Sequence, residues 1–306
     1  MLLRFACLSL LLGCQSASPP PEREIDGAAA LAYARAQVDF GPRIPGTEGH
    51  RRMAVWLDSL LRARADSVTV QAWTHVAKTR DSLSVKNFIA HFNPRAARRI
   101  LFLAHWDSRP IADADTGSRA KLPVPGANDG ASGVAVLLAM ADALKRRAPS
   151  IGVDLLFVDG EDYGVFAEDA DVLIGSRYYA KSVAAEARPE FAVLLDMVGG
   201  KGAQFRKEGN SVTASPTVVD MVWGTAARMG YGLVFPNETG GSVTDDHIPL
   251  QQAGIRAIDV IPEFGTASGY SAWHTIDDTI DKLAAETLKA VGDVMVGVIR
   301  EARKVE

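Results

Sequence analysis

The sequence predicts an α/β domain of three layers, in which helices cover both faces of a mixed, mostly parallel central sheet. Three observations predict this class. Four continuous apolar runs have the length of strands, helix-like stretches lie between them, and two segments of alternating polarity come earlier in the chain. Continuous apolar runs are typical of strands covered on both faces, and strands that alternate with helices favour a layered α/β domain.

Two helices and a pair of strands are expected before the central strands. Residues 26–38 predict a helix, and Thr47 is a helix cap ahead of apolar residues that recur at helical spacing. Those apolar residues are Met53, Trp56, Leu57, Leu60 and Leu61. Residues 68–73 alternate like a half-buried strand, and residues 85–92 are expected to pair with them as a hairpin or meander neighbour. This early pair makes the predicted sheet mixed.

The central strands and their covering helices follow in alternation. We predict strands at residues 100–104, 153–158, 191–195 and 255–261. We predict helices at residues 133–147, 176–184, 217–229 and 284–305, where apolar residues recur every three or four positions. Ligands of open α/β sheets bind outside the carboxyl ends of the strands, so the residues just after each apolar run are the candidates for function.

The first residues predict an export signal and a lipid anchor. Residues 1–13 place Arg4 before a short apolar run, which is typical of a secretory signal and too short for a stop-transfer helix. The run ends at Gly13 and Cys14 and is similar to a bacterial lipobox, which predicts cleavage before an acylated Cys14. A plain signal peptide with an incidental cysteine is the alternative.

The rest of the chain is then one tether and one domain. Residues 14–24 are Ser/Pro-rich and predict an extended linker, and residues 25–306 predict a single folded domain. We therefore expect an exported bacterial lipoprotein, anchored to a membrane on its periplasmic side or at the cell surface.

Composition excludes several classes of protein. Across 306 residues, 33 Lys+Arg stand against 37 Asp+Glu, which gives a net charge of −4. This balance offers no electrostatic reason to bind nucleic acid, because that affinity comes largely from cations that neutralise phosphates. The only cysteines are Cys7 and Cys14, so the mature chain would have no disulfide and no thiol nucleophile. The sequence carries no signal for an oligomeric state.

Histidines and carboxylates follow the central strands or the turns between them. They are His105, Asp107, Asp129, Glu161, Asp162, Asp196 and His274. Each alone is explained as a turn residue, a helix cap, a solvated charge or a packed histidine. Together they need a positive partner, because a carboxylate at the end of a buried strand is costly without one. No Lys or Arg immediately accompanies Asp129, Glu161, Asp162 or Asp196 in the sequence, so a metal ion is the expected counter-charge.

The donor set suits zinc or a similar divalent ion, because it offers His and carboxylate ligands without Cys. One tetrahedral zinc needs fewer ligands than the sequence provides, whereas two ions bridged by Asp129 would use all five. The five are His105, Asp129, Asp162, Asp196 and His274. Asp107 can orient the second ring nitrogen of His105, and Glu161 is placed to act as a general base or proton shuttle.

Seven motifs, in order along the chain, are similar to those of the zinc exopeptidases of the bacterial leucyl aminopeptidase type, and within them of the glutaminyl-peptide cyclotransferases (glutaminyl cyclases). They are AHWDSRP (104–110), PGANDGASG (125–133), LLFVDGEDYG (155–164), LIGSRYYA (173–180), LLDMVG (194–199), TDDHIPL (244–250) and WHTIDDT (273–279). LIGSR, TDDHIPL and the Trp before His274 resemble the cyclase branch. The resemblance implies a zinc exopeptidase-like fold.

The resemblance also implies metal ligands. Asp129, Asp162 and His274 would hold one catalytic zinc. His105 and Asp196 would complete a second site in an aminopeptidase, whereas a cyclase usually leaves that site empty. The family usually has Glu where this chain has Asp162, and the shorter side chain requires the strand end to approach the metal more closely.

For the cyclase branch, the resemblance implies an acid cluster and a pocket. Asp196 and Asp245 would hold Glu161, the residue that moves the proton. The residues implied to line a small apolar pocket for a glutamine side chain are Val243, Trp273 and, by a looser match, Tyr270.

Three functions are the resulting alternatives. The leading hypothesis is a cyclotransferase with one zinc, which converts the N-terminal glutamine of a peptide or protein to pyroglutamate and releases ammonia through Glu161. The second hypothesis is a di-zinc aminopeptidase, in which Glu161 deprotonates a water that attacks the first peptide bond. The third is a binding module of the same fold that has lost catalysis.

Overall fold

The structure is a computed structural model that describes residues 22–266 and 269–302. The strands of these residues are β1 (Ser67–Val76), β2 (Ser82–Phe92), β3 (Arg99–His105), β4 (Gly152–Val158), β5 (Ala192–Leu195) and β6 (Ala257–Val260). The α-helices are α1 (Gly27–Val38), α2 (Glu48–Arg62), α3 (Ala131–Arg146), α4 (Ile174–Ser182), α5 (Gly209–Ala214), α6 (Pro216–Arg228), α7 (His247–Gln252) and α8 (Ala285–Glu301).

The strands form one mixed sheet in the order β1-β2-β4-β3-β5-β6. β1 pairs with β2, and β2 with β4, in antiparallel fashion. The β4–β3, β3–β5 and β5–β6 pairs are parallel. The expected fold class is confirmed, including the early strand pair that makes the sheet mixed.

Alternate residues of the central strand pack on opposite faces, as the twofold repeat of a strand requires. In β3, Ile100 and Phe102 contribute to the core that α3, α6 and α8 cover, whereas Leu101 and Leu103 contribute to the core beneath α4 and α7. The side chains of all four are fully buried. This explains why the strand reads as a continuous apolar run and not as an alternating one.

Helix α3 packs closely on the carboxyl edge of the sheet because its first turn contains a glycine. A Cβ atom on Gly133 would lie 2.1 Å from the carbonyl oxygen of Leu195, a separation that no side chain tolerates. The glycine therefore lets the start of α3 pack directly on the end of β5. The turn that carries Asp129 just before α3 is held beside that strand end as a result.

The long helices and all strands lie where the sequence predicts them, with bounds that differ by a few residues. Two short α-helices are not predicted by the sequence. The unexpected ones, α5 and α7, have six residues each. Such a helix is too short to show an apolar repeat, and α7 also contains Pro249. β6 is shorter than predicted and starts at Ala257.

The predicted signal peptide, Cys14 and most of the linker lie outside the described residues. Within the residues that the structure describes, no helix combines the length and the apolar character needed to cross a bilayer.

The start of the described chain is fastened to the last helix by one buried carboxylate. Asp293 of α8 accepts hydrogen bonds from the Ile25 backbone N–H at 2.9 Å, the Tyr231 hydroxyl at 2.7 Å and the Lys289 ammonium at 2.9 Å. Its side chain is fully buried. Because three donors depend on it, this carboxylate joins the N-terminal segment and the turn after α6 to α8.

We expect Asp293→Asn to lower the free energy of unfolding by about 2–3 kcal/mol, since an amide leaves buried donors without an acceptor. Urea denaturation measures the loss. Asp220→Asn is the matched control, because Asp220 pairs with Lys207 at the surface and should change stability by at most about 0.5 kcal/mol. Equal effects of the two substitutions would contradict the anchoring role of Asp293.

Candidate active site

The ends of three parallel strands and the turn before α3 meet at one cavity of about 440 Å³. His105 ends β3 and stands in register with Val158, the last residue of β4, so the residues after both strands lie side by side. Asp196 directly follows β5. The polar side chains that line the cavity include Arg109, Asp113, Asp129, Glu161, Asp162, Asp196, Asp245 and His274.

Two groups of three donors could each hold a metal ion, and Asp129 belongs to both. In one group, His274 Nε2 lies 3.4 Å from Asp162 Oδ1 and 3.8 Å from Asp129 Oδ2. In the other, His105 Nε2 lies 3.1 Å from Asp129 Oδ1 and 3.2 Å from Asp196 Oδ1. Asp129 thus turns a different oxygen to each histidine.

These separations suit zinc. Donors bound at 2.0–2.2 Å in a tetrahedron are roughly 3.3–3.6 Å apart, which is close to the four separations in the two groups. Asp162 Oδ2 is buried and has no hydrogen-bond partner among the described residues, so this carboxylate retains an oxygen for a ligand. The donors fit one zinc at Asp129, Asp162 and His274, and Asp129 could bridge to a second ion.

The two histidines are surrounded by negative charge. Although burial opposes it, Asp107, Asp129 and Asp196 raise the pKa of His105 well above its ordinary value. Burial also opposes protonation of His274, yet neighbouring carboxylates raise its pKa to about 9. The cluster therefore draws positive charge to these two positions, which is the property expected of a cation site.

Asp107 orients the backbone of the acidic turn as well as facing His105. Its Oδ1 lies 3.4 Å from His105 Nδ1, longer than a regular hydrogen bond. Its two oxygens accept the backbone N–H groups of Glu161 and Asp162, each at 3.1 Å. Asp107 thereby fixes where both carboxylates of the turn begin.

Asp162 has no adjacent Lys or Arg in the sequence, but folding brings a cation to it. Arg109 Nη1 lies 2.6 Å from Asp162 Oδ1, and Arg109 also pairs with Asp113. Arg109 follows a different strand and is 53 residues away in sequence, so adjacency could not reveal the pair. The AHWDSRP motif does contain this residue.

Asp113 is a site residue that no motif or spacing in the sequence indicates. Its Oδ1 lies 3.0 Å from His274 Nδ1, on the opposite side of the ring from Asp129 and Asp162. Although burial opposes it, His274 and Arg109 hold the pKa of Asp113 well below its ordinary value. A carboxylate on the second nitrogen fixes the tautomer and orientation of a metal-ligating histidine, and Asp113 occupies that position.

Glu161, Asp196 and Asp245 form a buried acid cluster along the cavity. Burial raises the pKa of Glu161 well above its ordinary value; His105 opposes the shift, and the charges of Asp245 and Asp162 add to it. Burial and then the charge of Asp196 raise the pKa of Asp245 to about 7. The cluster is suited to hold and pass protons, because its members resist being ionised together.

Two of the three residues expected in the pocket line this cavity. Val243 and Trp273 do so, together with Ile261, Phe264 and Phe166. The Trp273 ring stacks on His274 with centroids 3.9 Å apart. The cavity therefore has an apolar wall that directly adjoins the donor residues.

Tyr270 lies elsewhere, on the wall of a neighbouring cavity. Its hydroxyl donates to Asp278 Oδ1 at 2.6 Å. Asp278 also accepts the backbone N–H groups of Asn128 and Asp129, at 2.9 Å and 3.1 Å. Tyr270 therefore supports the turn that presents Asp129. Neither the WHTIDDT motif nor the aromatic match indicates this supporting role.

The match to a known family agrees with this site. Residues 87–299 match peptidase family M28, and the chain belongs to this family. A solved structure described as a Zn-dependent exopeptidase from Parabacteroides distasonis is 38% identical, with a TM-score of 0.86, and the match covers 90% of this chain and 98% of that one. The chain thus has the fold of a zinc-dependent family, and its cavity contains donor groups that could hold a metal ion.

Within the family, relatives named as glutaminyl cyclases are similar to this chain. The structure of Tannerella forsythia glutaminyl cyclase is 40% identical, with a TM-score of 0.86, over 90% of this chain and 98% of that one. A Bos taurus glutaminyl-peptide cyclotransferase-like protein is 26% identical over 287 residues, which cover 85% of this chain and 72% of the relative. The resemblance seen in the sequence motifs is confirmed.

We expect Asp113→Asn to weaken zinc binding by about 10–100-fold, because the amide no longer holds His274 as a carboxylate does. Competition with a chromogenic chelator measures the affinity. Asp277→Asn is the control, since Asp277 is exposed and pairs with Arg119. Unchanged affinity in Asp113→Asn would show that the ring needs no carboxylate to orient it.

Proposed function

We propose that this protein is a zinc-dependent glutaminyl-peptide cyclotransferase, which converts the N-terminal glutamine of peptides or proteins to pyroglutamate and releases ammonia. The observation that carries the proposal is the composition of one cavity. It joins Glu161 to Asp196 and Asp245, beside a zinc-type donor set and an apolar wall. Such a cavity offers a proton-moving carboxylate next to space for a neutral side chain.

The side chain of the N-terminal glutamine would enter along the apolar wall. Val243, Phe264 and Trp273 provide that wall and would exclude water from the γ-amide. Asp129, Asp162 and His274 would hold zinc, which supplies Lewis-acid polarisation of the γ-carbonyl when bound. The substrate's α-amine is then within the same cavity as Glu161.

Glu161 would carry the proton that the reaction must move. The α-amine nitrogen forms a bond to the γ-amide carbon while that carbon loses its bond to the amide nitrogen. Glu161 accepts a proton from the attacking amine and delivers it to the departing nitrogen, which leaves as ammonia. No water is consumed, and the products are a pyroglutamyl peptide and ammonia.

Asp245 and Asp196 would keep Glu161 able to hold this proton. Burial and then the charges of Asp245 and Asp162 raise the pKa of Glu161, and the charge of Asp196 in turn adds to the raised pKa of Asp245. A carboxylate with a raised pKa takes up a proton more readily near neutral pH and can return it to the leaving group. The cluster is therefore part of the proton-moving apparatus and not only a set of metal ligands.

An aminopeptidase is the second candidate, and one observation favours it. The group of His105, Asp129 and Asp196 is complete and buried, so a second ion has a place to bind. Glu161 would then deprotonate a water that attacks the first peptide bond. The similarity to named glutaminyl cyclases over nearly their whole length supports the cyclase.

The location of the protein is also a proposal. We propose an exported lipoprotein that is anchored through Cys14 and acts on the periplasmic side of a membrane or at the cell surface. The apolar run that ends at Gly13–Cys14 supports it. Its substrates would be peptide and protein N-termini in that compartment.

We expect the zinc-loaded protein to release ammonia from a dipeptide that begins with glutamine, and Glu161→Gln to lower kcat by about 100-fold or more, as removal of a proton-transfer group does. A coupled ammonia assay measures both, and mass spectrometry identifies the pyroglutamyl product. Glu168→Gln is the control, because Glu168 is an exposed acid seven positions further on that pairs with Lys78.

Release of free amino acid from ordinary dipeptides, without ammonia, would show that the protein is an aminopeptidase and not a cyclase. A zinc-loaded protein that is inactive on both kinds of peptide would indicate a binding module.

We expect activity to require one zinc per chain. Adding zinc to chelator-treated protein should bring ammonia release to its maximum at the first equivalent, because the proposed reaction activates no water and needs only the ion at Asp129, Asp162 and His274. Metal analysis of the same samples gives the stoichiometry. Activity that rises only with the second equivalent would indicate that both groups must be filled.

A further inference from the structure

Basic side chains collect around the amino-terminal edge of the sheet. We call the surface formed by Arg23, Lys145, Arg146, Arg147, Arg256 and Arg300 the basic pole. Arg146 donates to the Glu24 carbonyl, and Arg300 pairs with the Glu24 carboxylate and donates to the Arg147 carbonyl. Arg256 donates to the Glu190 carbonyl just before β5. These contacts join the ends of α3 and α8 to the start of the described chain.

Within residues 22–266 and 269–302, four of these six cations are in no direct ion pair with a carboxylate, although Arg256 acts at longer range on the Glu190 carboxylate. Arg23, Lys145, Arg146 and Arg256 are exposed and donate to backbone carbonyls of Met229, Ala63, Glu24 and Glu190. A cation near the last turn of a helix is favourable for the helix dipole, which explains Lys145 and Arg146 within the fold. The contacts to carbonyls leave the net charge of these groups facing the solvent.

The basic pole lies opposite the catalytic cavity. Helix α3 starts directly after Asp129 and Gly130 and ends at Arg146. Its 16 residues span about 24 Å. The parallel strands likewise end at the cavity and begin beside the basic pole. One end of the molecule therefore has the acidic site and the other has the basic surface.

The described chain also begins at the basic pole. Glu22 pairs with Arg147, and Cys14 lies eight positions earlier in the sequence. A chain of eight residues reaches at most about 29 Å. A lipid on Cys14 would thus keep the basic pole, and not the cavity, within that distance of the bilayer.

We propose that the basic pole rests on the anionic phospholipid surface of the membrane, so that the catalytic cavity faces the aqueous phase. This rests on the proposed lipid anchor, and it adds an orientation to it. Cations near an anionic leaflet are attracted to the headgroup phosphates, and salt screens that attraction. The enzyme would receive peptide and protein N-termini from solution and not from within the membrane.

Single cysteines report the orientation, because Cys14 is the only cysteine of the mature chain and acylation would block its thiol. Ala97 is exposed beside Arg98 just before β3, and Thr116 is exposed three positions after Asp113, which lines the cavity. Ala97→Cys and Thr116→Cys, each in the full lipidated protein, would carry a fluorophore in vesicles of phosphatidylethanolamine and phosphatidylglycerol with a headgroup quencher. We expect several-fold stronger quenching at position 97 than at position 116.

Charge reversal tests the cause. Lys145→Glu with Arg146→Glu should remove most of the difference between the two labels, as should phosphatidylcholine vesicles or about 0.5 M salt. Lys201→Glu with Lys282→Glu makes the same change in net charge among residues that line the cavity beside Tyr270 and should leave the difference intact. Thermal denaturation and ammonia release show that the reversed proteins are folded, and Lys145→Gln with Arg146→Gln is the milder variant.

Equal quenching of the two labels would overturn the proposal. So would a difference in quenching that stays the same after the charge reversal. Failure of the anchor gives a separate result, because mass spectrometry would then find Cys14 without acyl groups. In that case the same chain is tested by flotation with the anionic vesicles. Flotation that is sensitive to salt and is abolished by Lys145→Glu with Arg146→Glu would still support binding of the basic pole to the membrane. Absence of flotation would refute it.

Discussion

Crowding of buried carboxylates at one edge of the sheet is the constraint on which the rest of the site depends. Asp129, Glu161, Asp162, Asp196 and Asp245 are each less than a tenth exposed. Ionised groups in such a place are unfavourable unless cations, protons or N–H donors compensate them. The structure supplies some of each: two histidines and an arginine, raised pKa values in the acid cluster, and backbone donors. Zinc would complete the compensation where the donor spacing suits it.

The fold meets part of this constraint by fixing the backbone of three of these acids, Asp129, Glu161 and Asp162. Asp278 accepts the backbone N–H of Asp129, and Asp107 accepts those of Glu161 and Asp162. These supporting groups are themselves fully buried carboxylates. The same architecture places Gly130 against His105, where a Cβ atom would lie 2.6 Å from the ring. Donor positions are thus set by backbone packing before any ligand binds, which is how a rigid site achieves close spacing.

The sequence predicts the strands and the donor residues, because both leave local signals. A buried parallel strand is a continuous apolar run, and the residue after it lies at a known edge. Partners that come together only through folding leave no such signal. Arg109 reaches Asp162 across 53 positions, and Asp113 reaches His274 across 161. The aromatic character of Tyr270 matches it to the pocket, whereas its hydroxyl donates a hydrogen bond to Asp278 outside that pocket. Short helices such as α5 are not predicted from the sequence, because six residues contain no full apolar repeat.

One helix connects the chemistry of the cavity with the opposite surface. The amino-terminal end of α3, the positive end of its dipole, adjoins Asp129, and its carboxyl end has Lys145 and Arg146. Both arrangements are favourable for the same dipole, so the polarity of a parallel α/β domain itself separates acidic from basic residues. A net charge of only −4 conceals this separation. In such a fold, carboxylates that serve metal and proton chemistry gather at one pole and leave the other pole free for cations. A tether attached at the cationic pole would keep the reaction site away from the membrane.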